Sequence, residues 1–497
     1  MRDKKLWLIL LFGLILRLLA FASRPIWYDE AFAVLFSEKG LPAMIVGTLG
    51  TDGSGAAPDV HPLLYYTLLW GWMRLFGQSL VSVRALSILI SMGTLYMAYL
   101  LAEELFGEKT ALVGALFVAL SPFHIHYSQE IRMYSLLALA LVTATYALWK
   151  GMYSQNWRWW VLFSFMAALG QYTHNLAFIF LVPVATTPLF KKDWHSLRNT
   201  VLAGLGAIIL YSPWLIHLPN QFSKLQGGYW ISHPSIDKAF TTLLTYTTDL
   251  HLSETIFPIA LFISLLIITI AVMQTIRAFR QGEETSRRGL WLAYLALATP
   301  MLLWALSQWQ PIFIERALLP ASVMFSLWLA WVVAQTGLQK AMDFIIVGLL
   351  LTGSIIGQYQ HLTYEGFPYG RYEEIGETLE EQVSIDSVIV HSNKLSHLPM
   401  VYFFRDLPQA YVGDVPGSGA DTLALATQEV LGLYASSSIE EAVGDSESVW
   451  LIIFSKAIDE YHILGEPNHP HLEWLDENLN FVSVEVWGDL LVYEYER

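Results

Sequence analysis

Long apolar runs separated by short polar stretches recur along the first 357 residues of the chain. A helix needs about 20 apolar residues to cross the hydrocarbon core of a bilayer, so runs near this length predict transmembrane helices. They lie at about 6–22, 80–101, 110–127, 131–149, 158–172, 175–190, 199–217, 256–276, 289–306, 312–333 and 342–357. The pattern therefore predicts an all-α polytopic membrane domain with about 11 transmembrane helices.

The stretch 63–77 is apolar but is not counted among these spans. It is short, carries Arg74, and is rich in Trp and Tyr. With the spans above, the loops richest in Lys and Arg share a side with the basic segment 1–5, as the positive-inside rule requires of cytoplasmic segments. A further span at 63–77 would reverse the side of every later loop. We therefore expect a helix lying in the outer membrane interface.

The hydrophobic pattern changes beyond residue 357. Residues 372–383 have the apolar spacing of a helix and many acids. Short apolar or alternating runs then predict strands. These are 387–391, 449–454, and the pair 481–486 and 490–495, which flank Gly488-Asp489 as a closing hairpin. Residues 358–497 are therefore predicted to form a C-terminal α/β soluble domain, long enough to bury its own core.

Composition supports a membrane protein, because 55% of the residues are hydrophobic and only 14% are charged. The 19 Trp and 24 Tyr suit two membrane–water interfaces. The chain contains no Cys, which excludes disulfides, thiolate catalysis and cysteine-ligated zinc. The first apolar run also resembles a signal peptide. Residues 22–25 are a poor cleavage context and further spans follow, so we interpret the run as a retained span.

The net charge of −15 is divided unevenly along the chain. Residues 358–497 hold 25 acids and 5 Lys or Arg, whereas residues 1–357 hold 18 acids and 23 Lys or Arg. This break indicates two domains, a membrane domain at 1–357 and an acidic extracytoplasmic domain at 358–497. The acidic domain argues against nucleic acid as a partner.

The order of the spans puts several polar segments on one face of the membrane. They are the loop after the first span, the turn between the third and fourth spans, the loop 218–255, the loop before Arg316, and the C-terminal domain. We expect this face to be extracytoplasmic, in a multi-pass protein of the plasma (inner) membrane.

Two adjacent acids, Asp29 and Glu30, follow the first span closely. A carboxylate near hydrocarbon is costly unless it is solvated, paired or in use. One interpretation is a hydrated acid pair, with Trp27 and Tyr28 as interfacial belt residues. The other is a functional carboxylate at the outer membrane face.

The segment 121–134 is the richest in chemistry, because it gathers His124, His126, Gln129, Glu130, Arg132 and Tyr134 between two apolar helices. An arginine at the start of a helix holds an anionic oxygen with a planar, permanently charged fork. The structural alternative is a mutual pair between Glu130 and Arg132.

Two further positions are ambiguous. His61-Pro62 marks either a functional histidine or the entry into a helix with Pro in its first turn. Arg316 either extends to the interface, pairs with Glu315, or binds phosphate. The acids and histidines also offer ligands to a divalent cation, with Glu30 and His61 as possible metal ligands, but their spacing is not diagnostic.

Taken together, four motifs resemble the GT-C class of membrane glycosyltransferases, in the branch of the protein O-mannosyltransferases and the aminoarabinose transferase of lipid A. The motifs are Trp-Tyr-Asp-Glu-Ala-Phe at 27–32, His-Pro-Leu-Leu-Tyr-Tyr at 61–66, Ser-Pro-Phe-His-Ile-His-Tyr-Ser-Gln-Glu-Ile-Arg-Met-Tyr at 121–134, and Glu-Arg-Ala-Leu-Leu-Pro at 315–320. The resemblance covers about residues 1–357. Ala317 departs from the family, which usually has an aromatic residue there, and the Gly-rich stretch 47–60 is particular to this chain.

The resemblance implies a polyprenyl-phosphate hexose or pentose as donor, a lipid, glycan or protein acceptor, and inversion at the anomeric carbon. The family's catalytic acid maps onto Asp29, which we expect to act as the base. Glu130 is expected to orient the acceptor or the surroundings of Asp29. The expected substrate- or phosphate-binding residues are Glu30, His61, Tyr65, His126, Gln129, Arg132, Tyr134 and Arg316.

Two other functions remain open at this point. A transporter or flippase of lipid-linked sugars also places charged groups in a membrane, but it favours inverted repeats and broken helices near the midplane. Here the charged groups cluster at one face, which favours an enzyme. An oligosaccharyltransferase that moves a whole glycan is a variant of the enzyme interpretation.

Overall fold

The computed structural model describes residues 2–50, 61–154, 156–219, 221, 231–249, 252–282, 285–335, 340–414 and 422–497. Helices form most of this part of the chain, and one small β-sheet lies near the C-terminus.

The helices of the first half are α1 Arg2–Leu18, α2 Tyr28–Ser37, α3 Leu41–Leu49, α4 Leu64–Phe76, α5 Leu80–Phe106, α6 Glu108–Leu120, α7 Pro122–Gln129, α8 Tyr134–Ser154, α9 Trp157–Thr173, α10 Ala177–Ala185, α11 Thr187–Phe190 and α12 Trp194–Leu215. Those that follow are α13 Ile236–Thr248, α14 Phe257–Gln281, α15 Ser286–Leu306, α16 Leu319–Gln335 (preceded by a 3₁₀ turn, Glu315–Leu318), α17 Lys340–Thr363, α18 Tyr372–Gln382, α19 Lys394–Phe403, α20 Leu425–Leu431, α21 Ile439–Val443, α22 Ser455–Ile463 and α23 Pro470–Asn478.

The strands are β1 Ser387–His391, β2 Gln409–Val412, β3 Ala435–Ser436, β4 Ser448–Phe454, β5 Asn480–Trp487 and β6 Leu490–Glu496. They form one sheet in the order β3-β2-β1-β4-β6-β5. The first four strands of this order are parallel, and the hairpin β5–β6 adds to β4 in antiparallel fashion. The predicted helix at 372–383, the predicted strands and the closing hairpin are thus confirmed. The short strands β2 and β3 were not predicted.

The chain divides into two compact units, each described here by itself. The helical unit comprises Met1–Ala22, Ser79–Leu218 and Ile231–Tyr364. The sheet unit comprises Ser23–Gln78, Pro219–Trp230 and Glu365–Arg497. The predicted first outer loop and the stretch 63–77 therefore belong to the same unit as the C-terminal sheet.

Six helices among the described residues are long and apolar enough to cross a membrane. They are 80–106, 134–154, 257–281, 286–306, 315–335 and 341–363. The pair α6–α7, bent by 57°, makes a seventh if it is one span. The predicted count of about 11 is therefore not confirmed. A helix lies at every predicted position, but some of these helices are short or interrupted, such as α9 with 17 residues and α10 with 9.

The helical unit packs around α16, in which every residue from Leu319 to Val332 is buried. The buried Arg17 ties the end of α1 to this body, because its Nε donates to Ser91 Oγ at 2.9 Å. Another of its nitrogens donates to the carbonyl of Ala119 at 3.4 Å, near the end of α6. A buried guanidinium with such partners fixes where α1 stops relative to its neighbours.

In the sheet unit, α2 packs against α4 and α19, and α3 packs against α20. The Cβ of a residue replacing Gly47 would lie 2.8 Å from the Phe36 ring, so the glycine permits this close approach. Thr427 Oγ1 donates to the carbonyl of Gly47 at 2.9 Å. The stretch 63–77 forms the 13-residue helix α4, and its interfacial position stays a prediction. Most of the Gly-rich stretch 47–60 lies outside the described residues.

Candidate functional site

The helix α7 carries most of the 121–134 motif, and the local sequence explains why it begins at Pro122. Pro122 lacks the N–H that would continue α6, so the chain bends there. Ser121 caps the new helix, with its hydroxyl accepting the N–H of His124 at 3.5 Å. Helix α7 ends at Gln129, and Glu130 is in an extended conformation before α8 begins. This bend turns the side chains of α7 into the buried interior.

His126 lies between two carboxylates in the helical unit. Its Nδ1 is 2.5 Å from Asp249 Oδ2, and its Nε2 is 3.1 Å from Glu130 Oε1. All three side chains are buried. His126 and Glu130 are four residues apart, a spacing that aligns side chains along a helix. Asp249 comes from a different part of the chain, just beyond α13.

Asp249 has an unusual backbone conformation. It ends α13 with φ +67° and ψ 179°, and its N–H donates to the carbonyl of Thr245 at 3.2 Å. This region of backbone space is almost reserved for glycine and costs another residue about 1–3 kcal/mol. Backbone strain of this kind is concentrated at functional positions, and here it accompanies a buried contact between a carboxylate and a histidine.

A second histidine, His361, joins the cluster from the last turn of α17. The rings of His126 and His361 have centroids 4.6 Å apart. His361 Nε2 lies 2.9 Å from Gln129 Oε1, while Gln129 Nε2 donates to the carbonyls of Arg17 at 3.0 Å and Leu19 at 2.9 Å. Because the amide donors are used at the end of α1, the amide oxygen must accept. The hydrogen of a neutral His361 ring is therefore on Nε2, and its Nδ1 carries the lone pair.

A row of aromatic rings extends from this cluster. Tyr127 stacks on His126 with centroids 4.5 Å apart, and the Tyr127 and Tyr134 rings meet edge to face at 5.3 Å. The guanidinium of Arg316 lies over the Tyr134 ring, 5.3 Å from its centroid. The row thus ends on a cation–π contact.

The acids close to the two arginines in sequence each contact another side chain. Glu315 forms an ion pair with Lys238. Glu130 contacts His126, and Arg132 is buried close by in sequence.

In the sheet unit, Asp29 and Glu30 occupy the first turn of α2, where acids are favoured by the positive end of the helix dipole. The apolar residues 31–36 that follow are buried and hold the helix in place. Asp29 is half-buried and Glu30 is fully buried. The pair is therefore not a freely hydrated surface pair.

Two cations of the sheet unit flank the motif that contains Asp29. The Arg24 guanidinium lies over the Tyr369 ring at 4.5 Å, and Trp27 contacts the same ring with centroids 6.1 Å apart. The ammonium of the buried Lys394 lies 5.2 Å from the centroid of Tyr28. Asn393 caps α19 by accepting the N–H of Leu395 at 2.9 Å, which puts Lys394 at the first helical position.

The other predicted residues of this unit lie at the start of α4. Tyr65 is buried, with its ring centroid 6.5 Å from that of Tyr66, and Tyr66 meets Phe36 edge to face at 5.6 Å. His61 is half-buried, and both His61 and Pro62 lie before the helix, which begins at Leu64 with Leu63 as its N-cap, so Pro62 is not in the first turn as predicted.

The structure thus brings together His126, Gln129 and Glu130, and separately Tyr134 and Arg316, in the helical unit. Asp29, Glu30, His61 and Tyr65 belong to the sheet unit. Sequence reasoning missed three residues: Asp249, His361 and Lys394. The signal in the sequence is that all three lie in or next to predicted outer segments. It is a weak signal, because many other polar residues lie in the same segments. Within the described residues, His126, Asp249 and His361 are the group whose spacing suits a metal ion.

Comparison with known proteins shows which family and which folds the chain resembles. A family model described as dolichyl-phosphate-mannose-protein mannosyltransferase matches residues 60–217. A search of curated proteins finds no match. The structure is similar to ArnT from Cupriavidus metallidurans in the apo state, with a TM-score of 0.64 and 11% identity over 98% of this chain and 97% of that chain. The same protein bound to undecaprenyl phosphate gives a TM-score of 0.61, with the same identity and coverage.

The structure is also similar to the oligosaccharyltransferase of Archaeoglobus fulgidus in complex with Zn and sulfate. The TM-score is 0.53 and the identity 11%, over 98% of this chain and 73% of that chain. At such identities the likeness shows the fold. The resemblance to GT-C membrane glycosyltransferases, drawn from four short motifs, is confirmed by the family model and by the fold of the whole chain.

Proposed function

We propose that this chain, with its GT-C fold, is an integral-membrane, inverting glycosyltransferase that moves a sugar from a polyprenyl-phosphate donor to an acceptor hydroxyl. The observation that carries the proposal is the fold shared along the whole chain with ArnT, which has been crystallised with undecaprenyl phosphate. A matching mannosyltransferase family model over residues 60–217 supports the same class of donor. The sugar is a hexose or pentose, and the acceptor hydroxyl belongs to a lipid, glycan or protein.

The reaction makes one bond and breaks one. The acceptor oxygen attacks the anomeric carbon from the face opposite the phosphate, and the carbon–oxygen bond to the phosphate breaks with its electron pair leaving on phosphate. The acceptor proton passes to a carboxylate. Phosphate is already a good leaving group, so cations beside it matter more than a strong general acid.

Asp29 is the proposed base. It lies in the first turn of α2, and its partial exposure leaves it open to an acceptor. Glu30, buried next to it, is proposed to support Asp29 or to hold a divalent cation with His61. Tyr65, on the neighbouring α4, is a proposed substrate contact.

In the helical unit, Arg132 and Arg316 are the proposed phosphate contacts, and Glu130 the proposed acceptor-orienting acid. Arg316 is held over Tyr134, so its fork is ordered before any anion arrives. Two other residues predicted to touch substrate, His126 and Gln129, make contacts within the protein that favour a positioning role.

We place the activity on the extracytoplasmic face of the plasma (inner) membrane. The support is the charge asymmetry of the loops, since basic residues concentrate in the segments that share a side with residues 1–5.

The test is transfer from a panel of radiolabelled polyprenyl-phosphate sugars in membranes that contain wild-type protein or Asp29→Asn. We expect at least one donor to be consumed by wild type, with transfer lowered by Asp29→Asn by about 100-fold or more. The matched control is Asp237→Asn, which changes an exposed aspartate in the first turn of α13 and should transfer normally.

Equal transfer by Asp29→Asn and wild type, at equal protein levels, would rule out Asp29 as the base. Movement of an intact donor across proteoliposomes without transfer to any acceptor would instead favour a flippase.

A further inference from the structure

Basic side chains gather in the helical unit where α8 ends, α11 meets α12 and α15 begins. The ammonium of Lys191 lies 4.0 Å from the centroid of the Tyr153 ring and 5.0 Å from that of the Trp149 ring. The guanidinium of Arg288 lies 5.9 Å from the same Trp149 ring. Arg287 is exposed beside it in the first turn of α15. Cations from two distant segments therefore surround one buried tryptophan.

The contacts beneath these cations hold the site in shape. Trp149 packs on Trp291 of α15 with ring centroids 4.9 Å apart, and Trp291 Nε1 donates to Thr187 Oγ1 at 2.9 Å. Arg288 Nη1 donates to the carbonyl of Leu105, near the end of α5, at 2.6 Å. A guanidinium has five N–H groups, so this bond orients Arg288 and leaves donors for a ligand.

Positive charge exceeds negative charge at this cluster. Among the residues that the structure describes, which omit 283–284, no carboxylate lies within ion-pair distance of Lys191, Arg287 or Arg288. Partial burial and the charges of Arg288 and Arg287 lower the pKa of Lys191. Asp193 opposes this shift only in part, and its carboxylate caps α12 by accepting the N–H of Ser196 at 3.0 Å. Cations that repel one another are stabilised by a bound anion.

We propose that Lys191, Arg287 and Arg288, gathered around Trp149, bind the phosphate headgroup of an anionic phospholipid. Arginine holds phosphate oxygens with a planar fork, and lysine adds a point charge. Basic pockets between membrane helices bind such headgroups. Tryptophan and tyrosine at the same level suit the membrane–water interface, where the headgroup lies.

Apolar side chains next to the cations favour a lipid over a free phosphate ion. Leu189 and Phe190 directly precede Lys191, and both are exposed, Phe190 by 64%. Leu290, two residues after Arg288, is also exposed. Helix α15, which begins with the two arginines, is long and apolar enough to cross a membrane. In a bilayer these side chains contact acyl chains while the long cationic side chains extend to the headgroups.

The position of the cluster separates it from the proposed transfer reaction. Its loops are among those predicted to share a side with the basic segment 1–5, and therefore to be cytoplasmic. Anionic lipids give the cytoplasmic leaflet a negative surface that attracts such clusters. Transfer is proposed for the opposite face, so a lipid bound here leaves the donor site open.

The experiment measures lipid binding to full-length protein in non-ionic detergent by native mass spectrometry, with phosphatidylglycerol and phosphatidylcholine that carry the same acyl chains. We expect wild type to bind phosphatidylglycerol about 10-fold more tightly or better, and Lys191→Gln and Arg288→Gln each to weaken this binding by about 5-fold. The matched control is Arg280→Gln, which removes an exposed arginine in the last turn of α14 and should bind as wild type does.

Equal binding of the two lipids by wild type would overturn the proposal, and this comparison decides even if a variant fails to fold. Equal losses in Arg280→Gln and Arg288→Gln would also overturn it, because net charge and not the cluster would then explain binding. Displacement of phosphatidylglycerol by millimolar inorganic phosphate would identify a free-phosphate site and rule out the lipid. No sugar donor is present, so these outcomes are independent of the proposed transfer activity.

Discussion

At the scale of single residues, one buried lysine places a positive charge beside the motif that contains the proposed base. Lys394 is buried at the start of α19, with its ammonium against Tyr28, the residue before the proposed base. An ammonium in a low-dielectric site interacts more strongly with a developing phosphate charge than one in water. This lysine comes from the C-terminal α/β region, which lies outside the part of the chain that resembles known transferases in sequence.

Lys394→Met is expected to reduce transfer about 10-fold or more, because it removes a preorganised cation and keeps most of the side-chain volume. The measurement is initial transfer rate at saturating donor. Lys456→Met is the control, since Lys456 also starts a helix of the sheet unit and lies 4.2 Å from the Phe367 ring centroid, away from Tyr28. Equal losses in both variants would show that general destabilisation, and not the position of Lys394, explains the effect.

At the scale of elements, close approach between helices brings His361 and Asp249 to His126. Gly357 lies on α17 one turn before His361. A Cβ at this position would lie 2.2 Å from the carbonyl oxygen of Thr248 and 2.6 Å from Pro122 Cγ. Helix α17 therefore meets the end of α13 and the start of α7 at a point where only glycine fits.

Gly357→Ala is expected to destabilise the helical unit by about 1–3 kcal/mol, because backbone and proline atoms cannot move aside cheaply. Thermal unfolding in detergent is the measurement. Gly348→Ala is the matched control on the same helix, because a Cβ there meets nothing within 4 Å. Equal stability of the two variants would show that α17 adjusts without cost.

At the scale of the whole molecule, the packing groups residues 23–78 with the C-terminal sheet, while the other helices form a second unit. A linear boundary near residue 357 describes the charge distribution but not this grouping. The core of the sheet unit contains two buried histidines, His391 on β1 and His397 on α19. The His397 ring stacks on Tyr411 of β2, with centroids 4.7 Å apart.

Burial lowers the pKa of His397 to about 3, and burial together with the neighbouring His397 lowers the pKa of His391 well below its ordinary value. In the unfolded chain a histidine has a pKa of about 6.5. Between these values the unfolded state binds protons that the folded state does not. Stability of the sheet unit is therefore fully present above about pH 6.5 and falls by about 1.4 kcal/mol per pH unit for each histidine as the pH drops.

Hydrogen exchange of the β1 and β2 amides in the full-length protein, converted to opening free energies between pH 7 and pH 5, measures this loss. His397→Gln should make the pH dependence shallower, because one titrating group is removed. Opening free energies that do not change with pH in wild type would contradict the prediction.

Local patterns in the chain determined a large part of this protein. The apolar runs predict the helix positions, and alternation around Gly488-Asp489 predicts the β5–β6 hairpin, because both depend on neighbouring residues. Ser121 and Pro122 likewise start α7 by a local rule. The motifs indicated the GT-C fold, because their order along the chain is specific even where identity is low.

Only the tertiary structure decided which distant side chains meet. Asp249 and His361 are more than 100 residues from His126 in sequence, and they contact it at a helix crossing that depends on Gly357. The hydrophobic periodicity of the sequence does not indicate such contacts. Lys394 reaches Tyr28 in the same way. The number of spans also depended on packing and helix breaks, because an apolar run sets where a helix forms but not whether it continues without interruption.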